Sequence, residues 1–203
     1  MCIRDSNTNK DYTGAKIGMW LFLFTEIILF GGLFVLYSVY LHRYPDEFHL
    51  AGQELNVYFG TANTLVLLTS SFSMALSITA LQKDNKKLCM ILLTITMILA
   101  CVFLVNKYFE WGAKIHHGIY PDSPALLERP KGEIIFFGLY YVMTGLHGLH
   151  VLIGALIIFV VLVLVAKNKV TSSDFVAVEN TGLYWHLVDM VWIYLFPLFY
   201  LVV

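Results

Sequence analysis

Long apolar runs separated by short polar stretches dominate the chain, and none of them alternates apolar and polar residues with a period of two. About 20 mostly apolar residues suffice for a helix to cross a bilayer core of roughly 30 Å, and continuous runs of this kind cannot supply the alternating strands of a membrane barrel. Five runs are long enough, at about 17–41, 57–82, 88–110, 134–166 and 181–203. The fourth would be roughly 50 Å long at 1.5 Å per residue, so it must tilt or project beyond the core. The pattern predicts an all-α fold, a polytopic transmembrane bundle of five spans that forms one domain over residues 16–203 behind a polar tail at 1–15. No internal repeat or low-complexity tract divides it. The connections at 42–56, rich in His, Asp and Glu, and at 111–133, with Pro121, Pro124 and Pro130, read as loops.

Lysine and arginine set the expected orientation. Arg4, Lys10, Lys16, Lys83, Lys86, Lys87, Lys167 and Lys169 fall on one side of the predicted spans, and Arg43, Lys107, Lys114, Arg129 and Lys131 on the other. Eight against five places the N terminus in the cytoplasm, and an odd number of spans then places the C terminus outside. The polar tail has no apolar stretch beside a cleavage site, so the first span must itself act as the membrane signal. Its opening Met1-Cys2-Ile3-Arg4-Asp5-Ser6 resembles the translation of a transposon-end adapter used in preparing sequencing libraries, and residues 1–6 are read as foreign to the gene. An upstream segment, or a few residues after Val203, then stays open.

Composition agrees with this picture. The chain has 203 residues, 59% hydrophobic and 13% charged, with a mean hydropathy of +0.73, against roughly 25% charged in soluble domains. A net charge of -1 offers no basic surface, so no nucleic acid is expected as a partner. Cys2, Cys89 and Cys101 show no paired spacing, so neither a disulfide framework nor a thiolate metal site is expected.

The informative residues are the polar ones at membrane depth, where an ionisable side chain costs at least about 2.5 kcal/mol on insertion scales. Glu26 lies about 15 Å into the first span, counted from Lys16. It reads either as a proton-exchanging carboxyl or as a protonated acid held by another helix. His147 and His150 in the fourth span, and His186 and Asp189 in the fifth, are i, i+3 pairs on faces expected to point inward. Three imidazoles in two spans could bind a metal in principle, but they are too few for a two-haem, one-copper centre, so metal and redox ligands are expected to be none. Asn63, Ser70 and Ser77 recur every seven positions with Ser73 between them, which reads as a helix-packing stripe. Gly145 and Gly148, with Gly31, Gly32, Gly138 and Gly154, read as sites of close helix approach. Lys107 and Glu110, beside Trp111 at the end of the third span, read as an interfacial anchor.

Five motifs in order, GMWLFLFTEIILFGG at 18–32, NTLVLLTSS at 63–71, YFEW at 108–111, TGLHGLHVLIG at 144–154 and YWHLVDMVWIYLF at 184–196, resemble the cytochrome c oxidase subunit 3 family. This is subunit III of the haem-copper terminal oxidases, in its short five-helix bacterial form, and the likeness runs from about Ile17 to Val203. The resemblance implies a subunit without haem or copper that packs against catalytic subunit I, alongside subunit II, and binds phospholipid. Haem and copper are expected in those partners. It also implies support of proton uptake and of the durability of subunit I, carried by residues matching Glu26, His147, His150, His186 and Asp189, and location in the bacterial inner membrane. On this reading Glu26 stays largely protonated and hydrogen-bonds an imidazole of the fourth or fifth span. Quinol oxidase and nitric-oxide-reductase-associated subunits share the type, so the electron donor stays open. A proton-coupled transporter using Glu26 and Asp189 is a remoter alternative, disfavoured by the lack of inverted repeats.

Overall fold

The structure, a computed structural model, describes residues 12–172 and 174–201. The adapter-like residues 1–6 and most of the polar tail lie outside the described residues. Seven helices follow in order: α1 (Tyr12–Arg43), α2 (Pro45–Gln53), α3 (Val57–Gln82), α4 (Lys86–His116), α5 (Pro124–Leu127), α6 (Lys131–Ala166) and α7 (Val176–Tyr200). Five of them, α1, α3, α4, α6 and α7, are long and apolar enough to cross a membrane.

Local chemistry sets the helix ends. The Asn56 side chain accepts from the backbone N–H groups of Tyr58 and Phe59, Asn85 from Leu88, and Ser123 from Leu126. Each satisfies donors that the first turn of a helix leaves without partners. Asp84 and Asn168, at φ 58° and 56°, end α3 and α6 in the left-handed region that Asp and Asn tolerate better than most residues. At the far end of α7, one of the carbonyls that a helix terminus leaves free, that of Leu198, accepts a 2.6 Å bond from the Tyr37 hydroxyl.

Helices α3 and α4 form a tight hairpin, and contacts α4–α6, α6–α7 and α7–α3 close a ring of four. The seven-residue stripe of α3 lies inside this ring, where Ser73 donates to the Leu92 carbonyl at 2.9 Å and the Asn106 amide to Asn63 at 2.9 Å. Trp185 and Trp192 of α7 donate their indole N–H groups to Ser70 and Thr64 of α3, each at 3.0 Å. Helix α1 lies outside the ring on α6 and α7. Its buried residues, Leu23, Phe30 and Tyr37, recur every seven positions, and Glu26, three residues after Leu23, falls on the same seam.

Four features differ from the expectation. The 42–56 connection contains α2, whose Phe48 and Ala51 are fully buried, because a Pro-Asp-Glu start and one apolar face suit a short helix packed on the bundle. The 111–133 connection begins only after α4 has run on to His116, and it holds α5. Lys107 and Glu110 are not an interfacial anchor. They are 7% and 6% exposed inside the ring, because the aromatic side chains of α6 and α7 surround that end of α4 and offer hydroxyl partners. The glycines do not act alike: a Cβ on Gly154 would meet Trp185 at 2.9 Å and one on Gly145 would meet Trp111 at 3.1 Å, whereas Gly148, Gly138, Gly31 and Gly32 face no atom of the chain within 4 Å. Gly148 therefore packs no neighbour among the described residues, since its face of α6 points away from the ring.

Candidate functional site

Glu26 meets α6 at mid-helix, where its Oε2 lies 2.9 Å from His150 Nε2. The other ring nitrogen, Nδ1, sits 2.8 Å from the Leu146 carbonyl. A carbonyl only accepts, so Nδ1 carries a hydrogen, and in the neutral ring Nε2 is then an acceptor. One proton must therefore lie between Nε2 and Oε2, on the acid in a neutral pair or on the ring in an ion pair. Phe30 meets the imidazole edge-on at 5.4 Å, and the Tyr184 hydroxyl donates to the His150 carbonyl at 3.1 Å, which together fix the ring and its turn of helix. Both side chains are only about one-eighth exposed, at 14% for Glu26 and 12% for His150. With Asn180 and Thr181 they line a cavity of about 440 Å³ between α1, α6 and α7, whose apolar walls include Met19, Phe22 and Ile157.

The second pair lies elsewhere. His186 Nδ1 is 2.6 Å from the Ser71 hydroxyl of α3. Asp189 is 4% exposed, and its Oδ1 is buried without a hydrogen-bond partner. His186 lines a separate groove of about 300 Å³ with Lys16, Trp20 and Glu179. A Lys16–Glu179 ion pair at 2.8 Å spans its rim.

His147 goes to a third environment. It is wholly buried between Phe103 and Trp192, with ring centroids at 5.5 and 5.2 Å, and neither ring nitrogen has a partner. The i, i+3 spacing puts His147 and His150 on one side of α6, but an α-helix turns about 60° short of a full circle in three residues. His147 thus enters the ring while His150 meets α1. The three intramembrane imidazoles point to three different places. No group of three or more His, Cys, Asp or Glu side chains suited to a metal ion occurs among the described residues.

Near the other end of the bundle the charges converge. Lys107 donates to Glu110 at 3.0 Å, and the Tyr140 and Tyr200 hydroxyls donate to the second Glu110 oxygen at 2.8 and 2.5 Å. Lys107 also donates to the Tyr200 hydroxyl at 2.9 Å and lies over the Trp192 ring at 4.8 Å. This fully bonded knot joins α4, α6 and α7. Outside it, Arg129 bridges Glu54 at 2.6 Å and Glu133 at 3.1 Å, and the hydrogen bond it donates to Glu54 raises the guanidinium above its ordinary range. Ser71, Tyr140 and Tyr200 were not among the expected site residues. For Ser71 the available signal was the Ser70–Ser71 doublet, which presents hydroxyls to two sides of α3. For the tyrosines only the unexplained charge of Lys107 and Glu110 beside apolar sequence hinted that partners were needed.

Five membrane-length helices, with a carboxyl–imidazole contact between two of them at mid-helix, define a polytopic membrane-type helix bundle. A sequence model of the family described as cytochrome c oxidase subunit III matches residues 2–202. The chain is 32% identical over 190 residues to cytochrome c oxidase subunit 3 of Thermostichus vulcanus, covering 91% of this chain and 86% of that protein. It is 27% identical to a probable quinol oxidase subunit 3 of Staphylococcus saprophyticus, covering 92% and 88%. It is also 30% identical to a heme-copper oxidase subunit I+III of Aeropyrum pernix, covering 92% of this chain and 22% of that longer protein. The chain belongs to the cytochrome c oxidase subunit III family.

Proposed function

We propose that this chain is the non-catalytic subunit III of a proton-pumping haem-copper respiratory oxidase that reduces dioxygen to water. It sits beside catalytic subunit I and subunit II, which hold the haem and copper, and phospholipid fills its clefts. The Aeropyrum protein, named as a fusion of subunits I and III, supports the pairing with subunit I. The lysine and arginine bias supports a cytoplasmic N terminus in a bacterial plasma membrane.

The observation that carries the reading is the Glu26–His150 contact, a proton-holding pair at membrane depth beside an apolar cavity. Such a pair exchanges a proton without separating charge over any distance, because the proton moves between two atoms already in contact. We assign it to proton supply for subunit I and to the durability of its turnover, with His150 positioning the Glu26 carboxyl. Glu26→Gln in the assembled oxidase tests this. It keeps the shape and a hydrogen bond but removes the exchangeable acid, so slower proton uptake and earlier loss of activity during turnover are expected. Unchanged values of both would reject the assignment.

A quinol oxidase is the second reading, favoured by the staphylococcal relatives named as probable quinol oxidase subunits. Since donor binding belongs to other chains, Glu26 and His150 play the same roles in either case. The cytochrome content and donor preference of the purified complex decide between them.

A further inference from the structure

The two turns at the Asp84 end of the bundle carry more positive charge than their own contacts use. Lys83, Lys86 and Lys87 belong to the α3–α4 turn and Lys167 and Lys169 to the α6–α7 connection, against Asp84 and Asp174 as the acidic side chains of residues 83–87 and 167–174. The two segments are pinned together. Lys86 donates to the Ala166 carbonyl at 2.8 Å and to the Asn168 side chain at 2.5 Å, and Ser172 donates to Asp84 at 2.9 Å. We propose that this lysine cluster and the groove beneath it on α4 bind one anionic phospholipid, its phosphate at Lys87 and an acyl chain along Met90, Ile91, Thr94 and Ile95. This rests on the reading of the chain as a membrane subunit and names the charge class of one of its lipids, at a place that shares no residue with the Glu26–His150 cavity.

Helix polarity makes the cluster anomalous. A helix N terminus carries about half a positive charge, which favours acidic side chains in the first turn and disfavours cations. The first turn of α4 has no acidic residue and begins with Lys86 and Lys87. Lys86 is accounted for, because it reaches the carbonyl end of α6, where the dipole is negative. The ammonium groups of Lys83, Lys87, Lys167 and Lys169 have no ion-pair partner among the described residues. Cations gathered at the positive end of a helix repel both the dipole and one another, and a bound anion relieves both effects. An excess of lysine on the cytoplasmic side serves topology without any groove. Here, however, Lys87 forms the rim of a groove of about 430 Å³ whose other lining residues are Met90, Ile91, Thr94 and Ile95. They follow Lys87 by three, four, seven and eight positions, a single stripe of α4 about 12 Å long at 1.5 Å per residue. Ile91 and Ile95 are exposed, and the Thr94 hydroxyl turns back to the Met90 carbonyl at 2.8 Å, so the stripe offers hydrocarbon a surface without unmet polar groups. A cationic rim over an apolar groove suits a lipid with a negative headgroup. Free phosphate would use only the rim, and a zwitterionic lipid would bring its own cation against the lysines.

The test is photolabelling of the assembled oxidase, delipidated in detergent and given limiting phosphatidylglycerol with a diazirine in its acyl chain, the adducts being mapped by peptide mass spectrometry. Labelling of residues 90–95 is expected to exceed that by the matching phosphatidylcholine by roughly tenfold or more. Each lysine near an anionic headgroup is worth about a fivefold preference, so Lys87→Gln cuts the labelling by about that factor and Lys83→Gln with Lys87→Gln by roughly thirtyfold. Lys87→Arg keeps it, since charge is what is read. Ile91→Trp fills the groove and displaces the label with every lysine in place. Equal labelling by the two lipids overturns the site, as does undiminished labelling in the double lysine variant or in Ile91→Trp. Displacement of the label by equimolar inorganic phosphate would assign the lysines to a free anion and overturn the lipid. Because the measurement reads lipid rather than protons, normal proton uptake in Glu26→Gln would sink the Glu26 assignment without touching this result.

Discussion

Lys107 shows what a single buried charge demands. Its ammonium has a carboxylate, two phenol oxygens and an aromatic face around it, and removing one partner of a buried ion pair costs about 3–5 kcal/mol because the other charge is left bare. Glu110→Gln is therefore expected to lower the thermal midpoint of the complex sharply. Adding Lys107→Met to it should restore most of the loss, since an apolar side chain of similar length leaves nothing unpaired. Equal midpoints for Glu110→Gln and wild type, measured by thermal unfolding in detergent, would contradict this account. Tyr200→Phe removes one hydroxyl from the same knot and should cost less, about 1–3 kcal/mol.

Among the elements, α6 and α7 pack tightly at Gly154, where a Cβ would fall 2.9 Å from the Trp185 ring. Gly154→Leu must push that ring off its bond to Ser70 and is expected to destabilise by about 1–3 kcal/mol, as overpacking does. Gly148→Leu, six residues earlier on an open face, should leave the midpoint unchanged in the isolated chain. The two glycines look alike in the sequence. Their difference arises because the helical turn between them carries one toward α7 and the other away from the ring. Helix α1, whose buried seam is only Leu23, Phe30 and Tyr37, is the least enclosed of the five long helices, with 11% of its most apolar window buried against 28% to 50% in the others. Loosening at α1 should therefore precede loosening of the ring, and hydrogen exchange should reach its amides first.

For the molecule as a whole, the assigned orientation places the Asp84 turn in the cytoplasm and Tyr120 outside. With Cys101 replaced by serine, a cysteine introduced at position 120 should react with a membrane-impermeant maleimide in intact cells, and one introduced at position 84 only after lysis. The opposite pattern would reverse the orientation. The described chain is also expected to bring haem and copper down with it only through its partners, so a purified single chain should show no haem absorption.

Sequence alone determined the five long helices, though not α2 or α5, because crossing about 30 Å of hydrocarbon requires long apolar helices and leaves few other solutions. It likewise determined that Glu26, His147, His150, His186 and Asp189 needed explanation, since ionisable groups at that depth are costly without a partner or a purpose. Family membership followed from motif order. Tertiary structure alone decided which groups became partners. Glu26 found His150 on α6, His186 found Ser71 on α3, His147 went alone into an aromatic core, and Lys107 and Glu110 were drawn from a supposed interface into a tyrosine-lined knot. Helical periodicity gives the direction of a side chain relative to its own axis, but the neighbour in that direction depends on how separate helices close around one another. Those contacts join residues as much as 124 positions apart, beyond the reach of any local pattern.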